Sequence, residues 1–275
     1  DQLSDCRKSD GFRSVLGTMI WLGLDVWCGL AEVIEFATAM GFLAAGHAAL
    51  LAVMWLAGKS KEARTDSNRV WFPLHALANA YVVAKATPDL LAALLDPLSA
   101  LTTSPGGIAG GQSHGMVMAV HIYHAVAFPL TWEDRVHHGV SVGIVGSMAY
   151  LFRWGRVCDG MNTFVCGVPG GLDYVLLSLV KWGWMEKITE KRLNMWLQTL
   201  IRWPGIFLML YFSIASKIKL GDASSVGWLP IATVCALHGF NGIYYAQKVT
   251  GNTHIAEMRI SEAKKAVKAE SLKSE

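Results

Sequence analysis

The sequence is poor in charged residues and lacks cysteine motifs. Asp, Glu, Lys and Arg make up 16% of its 275 residues, against roughly a quarter in an ordinary soluble domain. The five cysteines include no Cys-x-x-Cys pair, and we find no low-complexity run and no repeat of roughly 20–50 residues. These features exclude a disulfide-rich secreted scaffold, a disordered chain and a coiled coil, and they argue against a conventional soluble enzyme.

Hydrophobic residues are abundant instead. They make up 53% of the chain, which also has 11 tryptophans, and the mean hydropathy is +0.35. This composition is typical of a polytopic helical membrane protein, so we predict an all-α bundle of about seven transmembrane helices at about 20 residues each. The apolar tracts assigned to these helices are 36–57, 70–95, 113–130, 136–152, 172–184, 194–216 and 226–247.

The segments between the tracts predict loops and an orientation. Residues 96–112 and 159–171 are rich in turn-forming residues. The positive-inside rule predicts that the tail faces the cytosol, or the matrix or stroma of an organelle. The net charge of +3 gives no reason to expect a nucleic-acid partner. The Lys- and Arg-rich segments that define the inner side are 58–69, 131–136, 185–193 and the tail.

Three parts of the chain differ in composition. Residues 1–35 hold carboxylates within an apolar tract, and carboxylates are costly in lipid. We predict a helix in the membrane interface there, with an extra span or a helix facing other helices as alternatives. Residues 36–250 are the predicted transmembrane domain, and 251–275 form a Lys-rich surface tail. Because the chain begins at Asp1, we expect either a removed targeting segment or numbering that starts inside a longer chain.

Histidines form the densest polar set inside the predicted spans. His121 and His124 share a helix face with His114, while His137 and His138 open the next helix. Three interpretations remain open: a metal site, acid–base or nucleophilic catalysis, and hydrogen-bonded structural histidines. One His-x-x-His and one His-His provide too few ligands at poor spacing for a metal. We therefore predict no metal and no other cofactor.

Two polar residues in the last two predicted helices are candidates for a lipid site. Arg202 could bind a lipid phosphate or carboxylate, or it could pair with an acid such as Asp173. Asn241 suits a hydrogen bond between helices.

Lys85 lies in the middle of a predicted span, where its charge needs a partner. A carboxylate from Asp25, Glu32 or Glu35 is one candidate. A polar lipid headgroup is the other.

Several short motifs occur in an order that matches a known family. They are Ser67-Asn68-Arg69 with His75-Ala76, Asp96-Pro97, Trp132 to His138 (WEDRVHH), Asn194 to Gly205 (NMWLQTLIRWPG), Lys217-Ile218, and Asn241 to Tyr245 (NGIYY). In this combination the chain resembles the TLC domain family of multi-pass membrane proteins over about residues 36–250.

The resemblance implies an acyl-transfer centre only in part. In ceramide synthases of the family, a double histidine and a downstream acidic motif form that centre, and His137 and His138 match the double histidine. The family's preceding aspartate is replaced, with His121 in its vicinity. The later His-Asp pair is missing, and the nearest acids are Asp159 and Asp173. The chain is more similar to the non-synthase members, which are associated with lipid composition, sensing or trafficking.

These features predict a protein that binds membrane lipid, a phospholipid or sphingolipid, through its acyl chain or headgroup. The predicted lipid-binding residues are His121, Arg202, Lys85 and Asn241. One alternative is an acyltransferase that uses His137 and His138 as catalytic residues. Another is an accessory subunit of a large bioenergetic or organellar membrane complex, built on a TLC scaffold that has lost catalysis. The expected location is the endoplasmic reticulum or endomembrane, or alternatively the mitochondrial inner membrane or another organelle.

Overall fold

A computed structural model describes residues 26–102, 111, 113–152 and 154–274. Within these ranges every regular element is helical and no strand occurs, so the predicted all-α class is confirmed. Most of the first predicted part, residues 1–25, lies outside the described residues, as do residues 103–110 of the loop predicted at 96–112.

Eleven α-helical segments follow one another along the described part of the chain. They are α1 (Val26–Leu56), α2 (Lys61–Thr65), α3 (Asn68–Leu95), α4 (His114–Ala127), α5 (Trp132–Val140), α6 (Ser147–Leu151), α7 (Arg156–Asn162), α8 (Val168–Trp182), α9 (Lys187–Leu197), α10 (Trp203–Leu220) and α11 (Trp228–Ser274). Short 3-10 turns occupy Pro97–Ser99 and Gly221–Ala223.

Three π-helical stretches join neighbouring segments end to end. Ser141–Gly146 links α5 to α6, Thr163–Gly167 links α7 to α8, and Gln198–Arg202 links α9 to α10. A π-helical turn widens the helix locally, and such turns are often found at functional sites. All three stretches contribute to the cavity described below.

Three helices are long and apolar enough to cross a membrane: Ala31–Leu56, Arg156–Trp182 and Lys187–Ala223. A membrane protein is therefore supported, but among the described residues the count is lower than the predicted seven. Part of the shortfall has a simple cause. Segment α4 has 14 residues, whereas a span needs about 20, and α3 contains two prolines together with Lys85 and Asp89.

The first helix continues through residue 35, where we predicted a boundary. Glu32 of this helix is buried. Glu35 lies against α4, since a Cβ atom added to Gly115 would be 2.9 Å from Glu35 Cγ. The described residues before 36 therefore belong to one helix with those that follow. Burial against neighbouring helices keeps these carboxylates away from lipid.

The prediction of a turn-rich segment at 159–171 is wrong, because helix runs from Arg156 to Trp182. The glycines mark close helix contacts rather than turns. A Cβ atom added to Gly167 would lie 2.9 Å from Val83 Cγ2, and one added to Gly170 would lie 3.0 Å from Asn79 Nδ2. Small residues allow helices in membranes to approach closely. Pro169 lies just after the π-helical stretch Thr163–Gly167, and local π adjustments of this kind accommodate proline within a membrane helix.

The predicted boundary at residue 250 also falls inside a helix, because α11 extends over 47 residues. Its first half meets α10, and Arg192 Nε donates to Glu257 Oε1 at 2.7 Å farther along. From residue 258 to residue 272 every side chain is exposed. The tail is thus a surface helix as predicted, but it continues the last apolar helix without interruption.

Two groups of buried side chains form the interior. One joins α1, α3 and α4 around Leu43, Leu74 and Met116. The other joins α7, α10 and α11 around Met161, Met209 and Ile231. The polar cavity is lined by residues from α4, α5, α7, α11 and the three π-helical stretches.

Candidate functional site

A tight connection brings two pairs of histidines together. Segment α5 begins with a capping box: Thr131 Oγ1 accepts from Asp134 N at 3.2 Å, and Asp134 Oδ2 accepts from Thr131 N at 2.9 Å. Reciprocal bonds of this kind fix where a helix starts. Because α4 ends only a few residues earlier, the first turns of α5 pack beside its last turns.

The histidines of α4 and α5 contact each other in pairs. His121 Nε2 lies 3.3 Å from His137 Nε2, and His124 Nδ1 lies 3.4 Å from His138 Nε2. His121 Nδ1 is 2.6 Å from the carbonyl oxygen of Val117. A carbonyl can only accept, so Nδ1 of His121 donates and, in a neutral ring, its Nε2 accepts. His137 Nε2 must then be the donor to His121.

Aromatic rings of α3 and α8 support the outer pair. The Trp71 indole stacks on His124 with centroids 4.0 Å apart and planes at 15°. Behind it, His75 stacks on Tyr174 at 3.8 Å. His138 Nδ1 is buried and has no hydrogen-bond partner among the described residues. This arrangement holds the double histidine rigidly on one side.

Arg202 is held by neutral amides rather than by acids. Its Nη1 donates to Gln198 Oε1 and its Nη2 donates to Asn241 Oδ1, both at 3.3 Å. The guanidinium carbon lies 5.1 Å from the centre of the Tyr245 ring. No carboxylate among the described residues forms an ion pair with Arg202. The alternative that we considered for this arginine, a pair with Asp173, is therefore not formed.

A cavity of about 90 Å³ lies between these groups. That space has room for several water molecules, or for a small anionic group, since one water needs about 10–15 Å³ by this measure. Apolar side chains form much of the wall, among them Val117, Val140, Val145, Val165 and Leu237. Its polar side chains include His121, His137, Arg202 and Asn241, which are four of the residues singled out from sequence.

Two other predicted site residues lie elsewhere. Lys85 is exposed, and its ammonium lies 5.7 Å from the centre of the Tyr81 ring. It forms no ion pair with a carboxylate of the described residues. His138 does not line the cavity, because its ring packs against His121 and His124.

Sequence reasoning missed His238 and Asn162, which line the cavity, and Gln198, which contacts Arg202 from outside the lining. His238 precedes Asn241 by three residues, so helical spacing could have placed both on one face. Gln198 precedes Arg202 by four, and the same rule predicts their contact. Asn162 gave no signal, because the segment around it was predicted to form turns. The π-helical stretches gave no sequence signal either, because they have no characteristic composition.

The arrangement can bind and orient an anion, and it can relay a proton between imidazoles. No group of three or more His, Cys, Asp or Glu residues in the described ranges is arranged to hold a metal ion. At the rim, Lys248 Nζ donates to Glu133 Oε2 at 2.6 Å and joins α11 to α5. This bond to a carboxylate raises the pKa of Lys248.

Fold and site together define a class, an all-helical protein with membrane-type helices and a polar cavity inside the bundle. Searches for relatives found no family model, no curated protein and no solved structure that matches the chain. The resemblance to the TLC family therefore remains a prediction from sequence.

Proposed function

We propose that this chain is a multi-pass membrane protein that binds a membrane lipid and contacts its phosphate or carboxylate through Arg202. The observation that carries the proposal is the missing acidic partner of this arginine. A charge inside a membrane bundle is costly unless it is paired. A guanidinium presents a planar array of donors that matches carboxylate and phosphate oxygens.

The surroundings of Arg202 favour an amphipathic ligand. Gln198 and Asn241 orient the guanidinium through neutral acceptors, so neither of these contacts cancels its positive charge. The Nε atom is buried and has no hydrogen-bond partner among the described residues. The valine and leucine side chains of the wall suit an acyl chain. A lipid would satisfy both halves of this site, which supports a role in lipid homeostasis or sensing.

The proposed architecture is a TLC-like bundle of seven spans. These would be α1, α3, α4, α5 with α6, α7 with α8, α9 with α10, and the first half of α11. At 14 residues α4 would be a short span, accommodated by local thinning of the bilayer or by its place inside the bundle. Large apolar side chains on the outside support contact with lipid along several of them: Leu95 is 87% exposed, Val126 80% and Leu229 79%. The proposed location is the endoplasmic reticulum or endomembrane, with an organellar inner membrane as the alternative.

The test is to purify the protein in native-like lipid and to measure bound lipid by native mass spectrometry. Arg202→Gln keeps a polar side chain, although a shorter one, and removes its charge, and Arg259→Gln on the exposed tail is the matched control. We expect Arg202→Gln to retain about tenfold less anionic lipid, the equivalent of about 1.4 kcal/mol. If the wild type and both variants carry the same lipids, the proposal is wrong.

An acyltransferase is the second candidate, because His137 lines the cavity and contacts a second imidazole. An imidazole at this place could take a proton from an amine or hydroxyl acceptor. The test is acyl transfer from a long-chain acyl thioester to amine acceptors, comparing His137→Ala with the exposed His254→Ala. Loss in the first variant alone supports the enzyme, and absence of transfer in the wild type excludes it. Purification at fixed stoichiometry with a large complex would instead favour an accessory subunit.

A further inference from the structure

A cysteine and a histidine meet at the wall of a second, smaller cavity. Cys158 Sγ lies 3.9 Å from His114 Nδ1, and both side chains are buried. His114 is the first residue of α4 and Cys158 lies in the first turn of α7. Cys158 is a free thiol, and the proposed lipid site does not use it.

The backbone selects the tautomer of His114 that makes it a base. Its Nε2 lies 3.1 Å from the carbonyl oxygen of Gly146, and a carbonyl can only accept. Nε2 therefore carries the hydrogen, and in a neutral ring Nδ1 presents its lone pair. That lone pair faces the thiol, so the S–H group donates to Nδ1. A nucleophile with an oriented base beside it is the arrangement used in covalent catalysis.

A buried network fixes the distance between the two side chains. Ser113 donates to Asp159 Oδ1 from its backbone nitrogen at 2.9 Å and from its hydroxyl at 2.6 Å. Ser113 is the chain neighbour of His114, and Asp159 is the chain neighbour of Cys158. Asn162 Nδ2 donates to Ser113 Oγ at 3.0 Å and lies 3.8 Å from Cys158 Sγ. This amide can stabilise negative charge that develops on the sulfur.

Gly111 allows this close approach. Its φ is +92°, a backbone conformation that residues with a side chain rarely adopt. A Cβ atom added to it would lie 3.0 Å from Asp159 Oδ1 and 3.2 Å from Cys158 Cβ. The chain before α4 therefore packs directly on the start of α7. Position 111 requires glycine because Asp159 and Cys158 leave no room for a side chain there.

The open side of the pair is apolar. A cavity of about 40 Å³ touches Cys158 and His114, and its wall includes Val145, Trp154 and Met161. The same cavity shares His114, Asn162 and His238 with the Arg202 cavity. A carbonyl group fits the smaller space, and the wall beside it is mostly apolar, so an acyl chain attached to that carbonyl would lead away from the cavity over apolar side chains. The pair thus lies between a hydrophobic pocket and the site proposed for the lipid's anionic group.

We propose that Cys158 is an acyl acceptor, activated by His114, that forms a thioester with a long-chain acyl group. The proposal rests on the proposed function in that the acyl chain enters the same bundle. The sulfur attacks the acyl carbon, an S–C bond forms, and the bond from that carbon to the leaving oxygen or sulfur breaks. His114 Nδ1 takes the thiol proton and passes it to the leaving group. The donor is an acyl ester of a membrane lipid or an acyl thioester.

The experiment uses the full chain in lipid nanodiscs and two acyl donors. One arm contains phosphatidylcholine with alkyne-tagged acyl chains in the bilayer, and the other adds alkyne-tagged palmitoyl-coenzyme A from solution. Label on the protein is detected by fluorophore coupling, and a thioester is recognised by its loss in neutral hydroxylamine. We expect label at Cys158 by peptide mass spectrometry, and the arm that yields it identifies the donor.

A second cysteine provides the control. Cys235→Ala, outside both cavities, should keep the label, whereas Cys158→Ala and Cys158→Ser should lose it. His114→Asn should slow labelling by about 100-fold, within the range for loss of a general base. Two different Cys158 variants are used so that one that fails to fold does not decide the result. Label that persists without Cys158, unchanged rates in His114→Asn, or no label from either donor would overturn the proposal.

Bound lipid measured on the same samples separates the two proposals. Cys158→Ser should keep the anionic lipid that Arg202→Gln loses. If Cys158 is labelled while Arg202→Gln retains its lipid, only the lipid-binding proposal fails. If lipid depends on Arg202 but no thioester forms, only the acyl-acceptor proposal fails.

Discussion

His121 and His137 lie on consecutive helical segments, and their Nε2 atoms are 3.3 Å apart. The carbonyl of Val117 fixes the direction of this hydrogen bond by accepting from the other nitrogen of His121. One imidazole therefore orients the next at the edge of the cavity. Replacing either imidazole therefore removes the hydrogen-bond partner of the other.

His121→Ala should leave the donor of His137 without its acceptor at a partly buried place. An unsatisfied buried donor costs about 1–3 kcal/mol, so we expect a lower melting temperature in detergent. His254→Ala is the control, because His254 is exposed on the tail. His121→Gln, which keeps an acceptor, should recover part of the loss. Equal melting temperatures for His121→Ala and the wild type would show that the pair contributes nothing.

Asn241→Asp should place an internal ion pair at the proposed lipid site. A carboxylate at this position would face the Arg202 nitrogen that Asn241 now binds at 3.3 Å. The new pair would compete with any anionic ligand, so we expect bound anionic lipid to fall while thermal stability holds or rises. Asn241→Leu is the comparison: it should weaken the orientation of Arg202 without neutralising its charge. Lipid content measured by mass spectrometry should therefore fall further in Asn241→Asp than in Asn241→Leu.

Gly205→Ala should separate two helices. An added Cβ atom would lie 2.1 Å from Phe164 Cδ1, so either the ring or the helix must move. Overpacking of this kind costs about 1–3 kcal/mol. Gly41→Ala is matched to it, since nothing lies within 4 Å of a Cβ there. We expect a drop in melting temperature for the first variant only, and a similar drop in both would refute the packing explanation.

Thr131→Ala should loosen the double histidine from its partners. Removal of the capping hydroxyl costs about 0.5–2 kcal/mol and frees the start of α5. Because His137 and His138 lie in the next turns, we expect faster hydrogen exchange in α5 together with weaker lipid binding. Thr199→Ala is the control, since the Thr199 hydroxyl bonds only within its own helix at an exposed site. Faster exchange in α5 with unchanged lipid binding would separate the cap from the site.

Cysteine labelling tests the predicted orientation. Lys268→Cys on the tail and Lys59→Cys after α1 should react with a membrane-impermeant maleimide from the same side of a sealed vesicle. Leu98→Cys should react only from the other side. All three positions are exposed or half-buried, so access is limited by the membrane alone. Reaction of Leu98→Cys from the tail's side would disprove the topology inferred from the positive-inside rule.

The helical class could be predicted from composition, and the polar residues that line the cavity could be partly identified. His121, His137, Arg202 and Asn241 stand out because a polar group inside an apolar helix is costly and therefore informative. Lys85 is also a polar residue in an apolar helix, yet it does not line the cavity. Its long side chain allows the ammonium to reach the outside of the bundle, and sequence spacing carries no information about that choice.

Other features depend on contacts that sequence alone does not reveal. The glycines near residue 170 resemble a turn in composition. In the structure they allow α3 to pack closely, with Asn79 and Val83 where larger side chains would clash. The pairing of His114 with Cys158 joins residues 44 positions apart, so no local motif announces it. The π-helical stretches add a residue per turn without a characteristic composition, and they shift which side chains face the cavity.

The last helix, α11, is longer than a bilayer is thick. At 1.5 Å per residue, 47 residues extend about 70 Å, more than twice the roughly 30 Å of a bilayer's hydrocarbon core. If α11 crosses the bilayer from Trp228 with little tilt, as the proposed bundle requires, Ser274 would lie about 40 Å beyond the hydrocarbon core. A group attached there would be held at a fixed distance from the lipid. Energy transfer from a fluorophore at Ser274 to dyes in the membrane should therefore be weaker than from one at Thr250.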